Sequence, residues 1–333
     1  MTDNIFRPES VTLSKTKYLV DGLFPLGNNA LLAAQPGVGK SFWLEALAVE
    51  ITCNEPFMGR QSMGGNVLLI DEDTPTDDLD ERLARLFAGR TPKFNLYKHS
   101  QEGHTMETIP ALIDRYKDLR LVIIECLVSI CDGKDIDNTT SAGKIGNFIN
   151  SIKKNDRVVI TSHHITTHNN LSVGDIMTKP NPQGLVMNNT RIVSSCDTLF
   201  LAASHETGQD TDLETLYVRP VSRRKTIPMK AFSTKLVPEK NEIPSLKSFL
   251  HFEYGKEINW KELSKAEKRI LSLFDDEEIM TVQKTFTKSG QFFSLDVLRP
   301  ILSNLEEKGY IQLLDKKGAK GALLYSLAEN SKK

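Results

Sequence analysis

Short apolar runs, each ended by a polar break, alternate with stretches whose apolar residues recur every three or four positions. The runs read as strands buried on both faces and the spaced stretches as helices. Residues 30–34 (ALLAA) form the first such run, and Gln35, Pro36, Gly37, Val38 and Gly39 break it. Lys40 then opens a stretch without a breaker to Thr52, which predicts strand, glycine loop and helix. Its apolar positions, Phe42, Trp43, Leu44, Leu47, Val49 and Ile51, lie nearly all round, as suits a helix packed on a sheet with a neighbour outside it. Residues 66–70 (NVLLI) predict a second strand that ends in Asp71, Glu72 and Asp73. Thr76 reads as the N-cap of a helix with Leu79, Leu83 and Leu86 on its inner face. A helix over about 106–118, a strand over 121–125, a helix over 141–154 and a strand over 157–162 follow. That last strand leads into His163 and His164. Strands over 198–202 and 215–219 then precede the basic cluster Arg223, Arg224 and Lys225.

Past residue 235 the pattern changes. Residues 236–260 carry Pro238 and Pro244 among charges and read as a linker. From 261 to 333 three helical stretches precede two strand-like runs around a glycine- and lysine-rich turn, a winged helix-turn-helix pattern. The expected organisation is therefore an α/β domain over 1–235, a linker over 236–260 and a small α+β domain over 261–333. Strand and helix alternation in the first domain argues for a mostly parallel sheet with helices on both faces. Its ligand site belongs at the carboxyl ends of the strands, which lines up residues 35–41, Asp71 to Asp73, Glu125 and the histidine pair along one edge.

Composition narrows the class without naming a function. The 333 residues are 39% hydrophobic and 26% charged with a formal charge of -1, so nucleic-acid contact must come from local patches. No apolar run is long enough for a membrane span and the first residues carry no signal-peptide pattern, so a cytoplasmic protein is expected. Cys53, Cys126, Cys131 and Cys196 show no zinc-ligand spacing and read as reduced thiols.

Residues 34–41 fit the spacing G-x-x-x-x-G-K-[ST] with Ala34 in place of the first glycine. Such a loop wraps backbone amides around phosphate oxygens at a helix N-terminus. The candidate nucleotide-binding stretch is Gln35, Pro36, Gly37, Val38, Gly39, Lys40, Ser41 and Phe42. Lys40 is expected on the β and γ phosphates of ATP and Ser41 on Mg²⁺. Glu72 is the candidate base for an attacking water. Glu125 takes the position of a second carboxylate on the metal side, where P-loop proteins more often carry Asp. His163 or His164 would sense the γ-phosphate, only one of them being able to face it. Arg223 and Lys225 suit a finger supplied across a subunit interface. Lys316, Lys317 and Lys320 at the tip of the C-terminal turn are candidate nucleic-acid contacts.

The motifs YLVDGLFPLGNNALLAAQPGVGKS, IDEDTPTDDLDERLARL, LVIIECLVSI, TSHHITT and VRPVSRRKT together resemble the RecA-like ATPases of the plasmid RepA type, the compact hexameric replicative helicases. The resemblance covers about two-thirds of the chain. It implies a ring with ATP between subunits and DNA in the channel, and Glu72 as the catalytic acid. It also implies a γ-phosphate sensor at His163 or His164 and a basic pair, Arg223 and Lys225, acting on the neighbour's nucleotide. The channel loops correspond to residues 131–144 and 165–189, neither notably basic. Two functions stand side by side. One is an oligomeric DNA-dependent ATPase or helicase of a replicon or mobile element, with a protein partner from that system. The other is a nucleotide-switched DNA-binding or adaptor protein that unwinds nothing.

Overall fold

Ala30 to Ala34 can form a strand without one exposed side chain only if helices cover both of its faces, and the fold supplies them. The computed structural model describes residues 16–131, 139–154, 156–165, 176–177, 182–186, 190–204, 215–222, 230–239, 249–257, 269–274, 279–289, 294–307, 310–314 and 323–327. A small antiparallel pair, β1 (Tyr18–Val20) and β2 (Phe24–Pro25), leads into β3 (Asn29–Ala34). Then come α1 (Lys40–Cys53), β4 (Asn66–Asp71), α2 (Thr76–Phe87), β5 (Leu96–Ser100), α3 (Ile109–Arg115) and β6 (Leu119–Glu125). The chain continues through α4 (Thr139–Ile152), β7 (Val158–His164), α5 (Thr190–Ser195), β8 (Thr198–Ser204), β9 (Thr215–Ser222), β10 (Phe232–Glu239) and β11 (Phe249–Glu257).

These strands build one nine-stranded sheet in the order β11-β10-β9-β8-β3-β7-β6-β4-β5. The six from β8 to β5 run parallel, and β9, β10 and β11 continue the sheet antiparallel. The fold class is thus the expected α/β one with a mostly parallel sheet.

Strand alternation divides the core into two layers. Ala30, Leu32, Val67, Leu69, Leu121, Ile123, Val158 and Ile160 pack with Trp43, Leu44 and Leu47 of α1 and Leu79, Leu83 and Leu86 of α2. Leu31, Ala33, Leu68, Ile70, Val122, Ile124 and Val159 pack on the other side against α3, α4 and α5. Residues 71, 125, 162 and 164 continue the first set. The α1 layer therefore ends, at the carboxyl edge, in polar groups.

Some expectations change. Within the expected linker, residues 236–239 complete the strand Phe232–Glu239 and residues 249–257 form another, and both belong to the main sheet, so it extends beyond residue 235. Charges hid the edge strand β11, and Pro238 hid β10, where it lies past the residues paired with β9, Phe232–Lys235. The strand β5, polar along most of its length (LYKHS), was likewise not expected. Thr76 is the first helical residue of α2, and Pro75 occupies the cap position.

The C-terminal residues make a separate cluster. After a short turn at Ser272–Phe274 come β12 (Ile279–Thr281), α6 (Val282–Lys288), α7 (Leu295–Glu307), β13 (Ile311–Leu313) and β14 (Leu324–Leu327). Their antiparallel sheet has the order β12-β14-β13, and Ile270, Phe274, Met280, Leu298, Leu302, Leu305 and Ile311 fill its core. Pro300 is exposed within α7. Lys316, Lys317 and Lys320 lie outside the described residues. Among the described residues no helix is long and apolar enough to cross a membrane.

Candidate nucleotide site

The loop after β3 turns through Gly37 (φ 79°) and Gly39 (φ 85°), both in the left-handed region. A Cβ added at either would meet nothing within 4 Å, so the conformation of the backbone, not space, calls for glycine. Gly39 caps α1 without a side-chain hydrogen bond. The first amides of that helix thus remain available to an anion, the arrangement expected of a phosphate loop.

Behind the loop, Lys40 is only 9% exposed, and its Nζ lies 3.1 Å from Glu125 Oε2 and 3.2 Å from Ser162 Oγ. Ser162 Oγ donates to the same Glu125 oxygen at 2.5 Å and accepts from the Cys126 amide at 3.2 Å. The hydroxyl therefore spends its proton on the carboxylate and its lone pairs on two donors. Glu125 Oε1 is buried with no hydrogen-bond partner among the described residues. An oxygen left bare at 2% exposure fits a role toward a bound cation or its water.

His164 continues the α1 face of β7, and His163, 1% exposed, lies on the opposite face. Alternation thereby chooses His164 as the ring at the site. Burial first, and the charge of Lys40 next, hold its pKa below 6.5, opposed by Asp73 and Glu125. Potential ligand atoms of Asp73, Cys126 and His164 lie within 4.8 Å of one another. Burial, followed by the charge of Asp73, raises the Cys126 thiol and keeps it protonated. Asp71 is structural: its Oδ1 accepts from the amides of Asp73 and Thr74, both at 2.9 Å, and shapes the turn after β4.

Glu72 is not brought to this face. Its carboxylate oxygens accept from the amides of Gly103 at 2.9 Å and His104 at 3.0 Å, beyond the end of β5. Phe42 is half-buried, with the Arg82 guanidinium 5.3 Å over its ring. Ser41, at the first turn of α1, is half-buried. Arg223 and Lys225 lie outside the described residues, as do parts of both expected channel loops.

Sequence reasoning missed two polar residues. Ser162 gave one signal, a hydroxyl two positions before His164 in an apolar strand. Glu45, fully buried on α1, lies 3.2 Å from Arg82, and burial, the largest influence, pushes its pKa up to about 8. Nothing in the helical pattern marked it.

Residues 5–170 match a family model described as an AAA domain. The described core, a mostly parallel sheet with helices on both faces, is consistent with a RecA-like P-loop NTPase core. Among solved structures, the chain is similar to a KaiC-like protein from the hyperthermophilic archaeon Pyrococcus horikoshii OT3. Identity there is 12% and the TM-score 0.46, over 72% of this chain and 94% of that one. It is also similar to a DnaB-like replicative helicase studied for its interactions with primase, at 11% identity and a TM-score of 0.44. That match covers 63% of this chain and 57% of the helicase. No curated protein matches the sequence.

Proposed function

We propose that this chain binds and hydrolyses ATP as an oligomeric, DNA-associated motor of the RepA type. The observation that supports it most is the convergence of an uncapped helix N-terminus, the buried Lys40, Glu125 and Ser162 set, and a neutral His164 at one sheet edge. In this reading the amides of residues 37–41 hold the phosphates, and Lys40 moves from Glu125 to the γ-phosphate. Ser41 and Glu125 would hold Mg²⁺, which would supply charge neutralisation. Glu72, once released from Gly103 and His104, accepts a proton from the attacking water as the bond from the γ-phosphorus to the bridging oxygen breaks. ADP leaves with that electron pair. His164 hydrogen-bonds the γ-phosphate and reports its loss. Arg223 and Lys225 from a neighbouring subunit stabilise charge on the transferring group, which calls for a homo-oligomeric ring, a hexamer by resemblance. The C-terminal cluster, whose described residues include two helices beside a three-stranded sheet, suits a winged-helix docking module whose Lys316, Lys317 and Lys320 contact DNA.

One observation favours a second reading. With Glu72 held on backbone amides, the protein is arranged to bind nucleotide before it can hydrolyse it, as an ATP-switched DNA-binding or adaptor protein would be. Strand displacement with ATP, beside a Lys40→Ala control, separates the two. Duplex opening that needs ATP and Lys40 supports the motor. ATP binding without DNA-stimulated turnover or unwinding supports the switch, and absence of ATP binding by folded protein removes both.

A further inference from the structure

After β5 the chain reverses through Gln101 (φ 51°) and Gly103 (φ 73°). This turn brings His99, Glu102 and His104 together on the far edge of the sheet from β11. His99 Nδ1 lies 2.8 Å from Glu102 Oε2. His104 Nε2 lies 3.3 Å from that oxygen and 3.3 Å from His99 Nδ1. The two imidazoles meet edge to face, with centroids 5.0 Å apart.

A tetrahedral ion bound at about 2.0–2.1 Å sets neighbouring ligand atoms about 3.3 Å apart. Two edges of this triangle have that length, and the third needs a change of about half an ångström by the exposed end of Glu102. The two ring nitrogens 3.3 Å apart can share one proton as an N–H···N bond or, with neither protonated, can point both lone pairs at one cation. The remaining nitrogen of His99 has its own partner. Nε2 lies 2.8 Å from the hydroxyl of Tyr116, whose ring stacks on Tyr97 with centroids 4.1 Å apart. Metal-bound imidazoles characteristically carry such an outer oxygen, which fixes the tautomer and the ring. The histidine side chains are 14% and 16% exposed and the glutamate 51%, so solvent reaches the group chiefly at Glu102.

We propose that His99, Glu102 and His104 form a divalent transition-metal site, suited to Zn²⁺, with solvent as the fourth ligand. Two imidazoles and one carboxylate favour such an ion over Mg²⁺, which prefers all-oxygen surroundings. The site is separate from the phosphate loop, and its consequence is local. The turn it closes is the one whose Gly103 and His104 amides hold Glu72. An ion here clamps that turn and keeps Glu72 in place.

Full-length, tag-free protein stripped with a chelator is titrated with Zn²⁺ by calorimetry, and with Co²⁺ by absorption spectroscopy. One equivalent is expected, with a tetrahedral cobalt spectrum that has no thiolate charge-transfer band. The His99→Ala/His104→Ala pair should abolish uptake, and Tyr116→Phe should weaken it about 10- to 100-fold. Lys40→Ala should keep it, which makes the outcome independent of nucleotide binding. No heat above buffer, uptake unchanged in the double variant, or a thiolate band placing the ion at Asp73, Cys126 and His164 would overturn the assignment.

Discussion

Lys40 reaches across β7 to Glu125 at the end of β6, and the 3.1 Å between Nζ and Oε2 makes an ion pair buried on both sides. Such a pair is a poor source of net stability because both ions lose their water. Its value is in position: the ammonium waits beside the phosphate loop, and the carboxylate that neutralises it is the one expected to face the metal.

Lys40→Met keeps most of the stem and removes the charge. Breaking a buried pair from one side costs about 3–5 kcal/mol, because Glu125 is left without compensation. The denaturant midpoint should fall accordingly, and adding Glu125→Gln should restore much of it. A double variant no more stable than Lys40→Met would deny the coupling.

His164 carries a pH dependence of known sign. Burial, then Lys40, hold its folded pKa below 6.5, so between those two values the unfolded chain binds more protons. The contribution of His164 to stability should rise as pH climbs through that window and level off above 6.5. His164→Gln should flatten this part of the curve. Chemical denaturation from about pH 5 to about pH 8 reads it directly.

Glu45 should act in the opposite sense. With a folded value near 8 against an ordinary 4.5, the native state binds the extra proton, so its contribution is full below 4.5 and is lost as pH rises to about 8. Glu45→Gln should therefore match the parent in acid and exceed it above about pH 8, by an amount on the order of a few kcal/mol. A variant that loses stability at high pH would show instead that the contact with Arg82 outweighs the burial of the charge.

These groups differ in how legible they were. The phosphate loop was plain because its parts are contiguous: strand, two glycines, Lys40 and Ser41 sit within one short stretch, and local geometry follows from local sequence. Glu125 and the histidine pair were found by a rule about strand ends, which holds in any parallel sheet. The face of each residue was harder to read, since strands buried on both sides show no alternation of apolar and polar residues. Glu72 is the case in point. Counting from Leu68 and Ile70 puts it on the face opposite Lys40, but that face has meaning only once α1 and α2 are known to cover the other. Ser162 and Glu45 depend on partners 37 positions away in both cases, Glu125 for one and Arg82 for the other. The edge strand β11 was obscured by its charges, and β10 by Pro238, which lies beyond its pairing with β9.

Glu72 therefore gives the most discriminating variant. Its carboxylate makes a structural bond to the amides of Gly103 and His104, and the catalytic role proposed for it requires leaving them. Glu72→Gln keeps one acceptor oxygen but loses the charge, so the amides of Gly103 and His104 should exchange hydrogen faster in the nucleotide-free protein. If the same group serves as base once ATP is bound, turnover should fall about 10²- to 10⁴-fold while ATP affinity holds. Faster exchange with unchanged turnover would make Glu72 a clamp alone. Attention would then pass to Asp73, the exposed acid that lies with Cys126 and His164 at the candidate nucleotide edge.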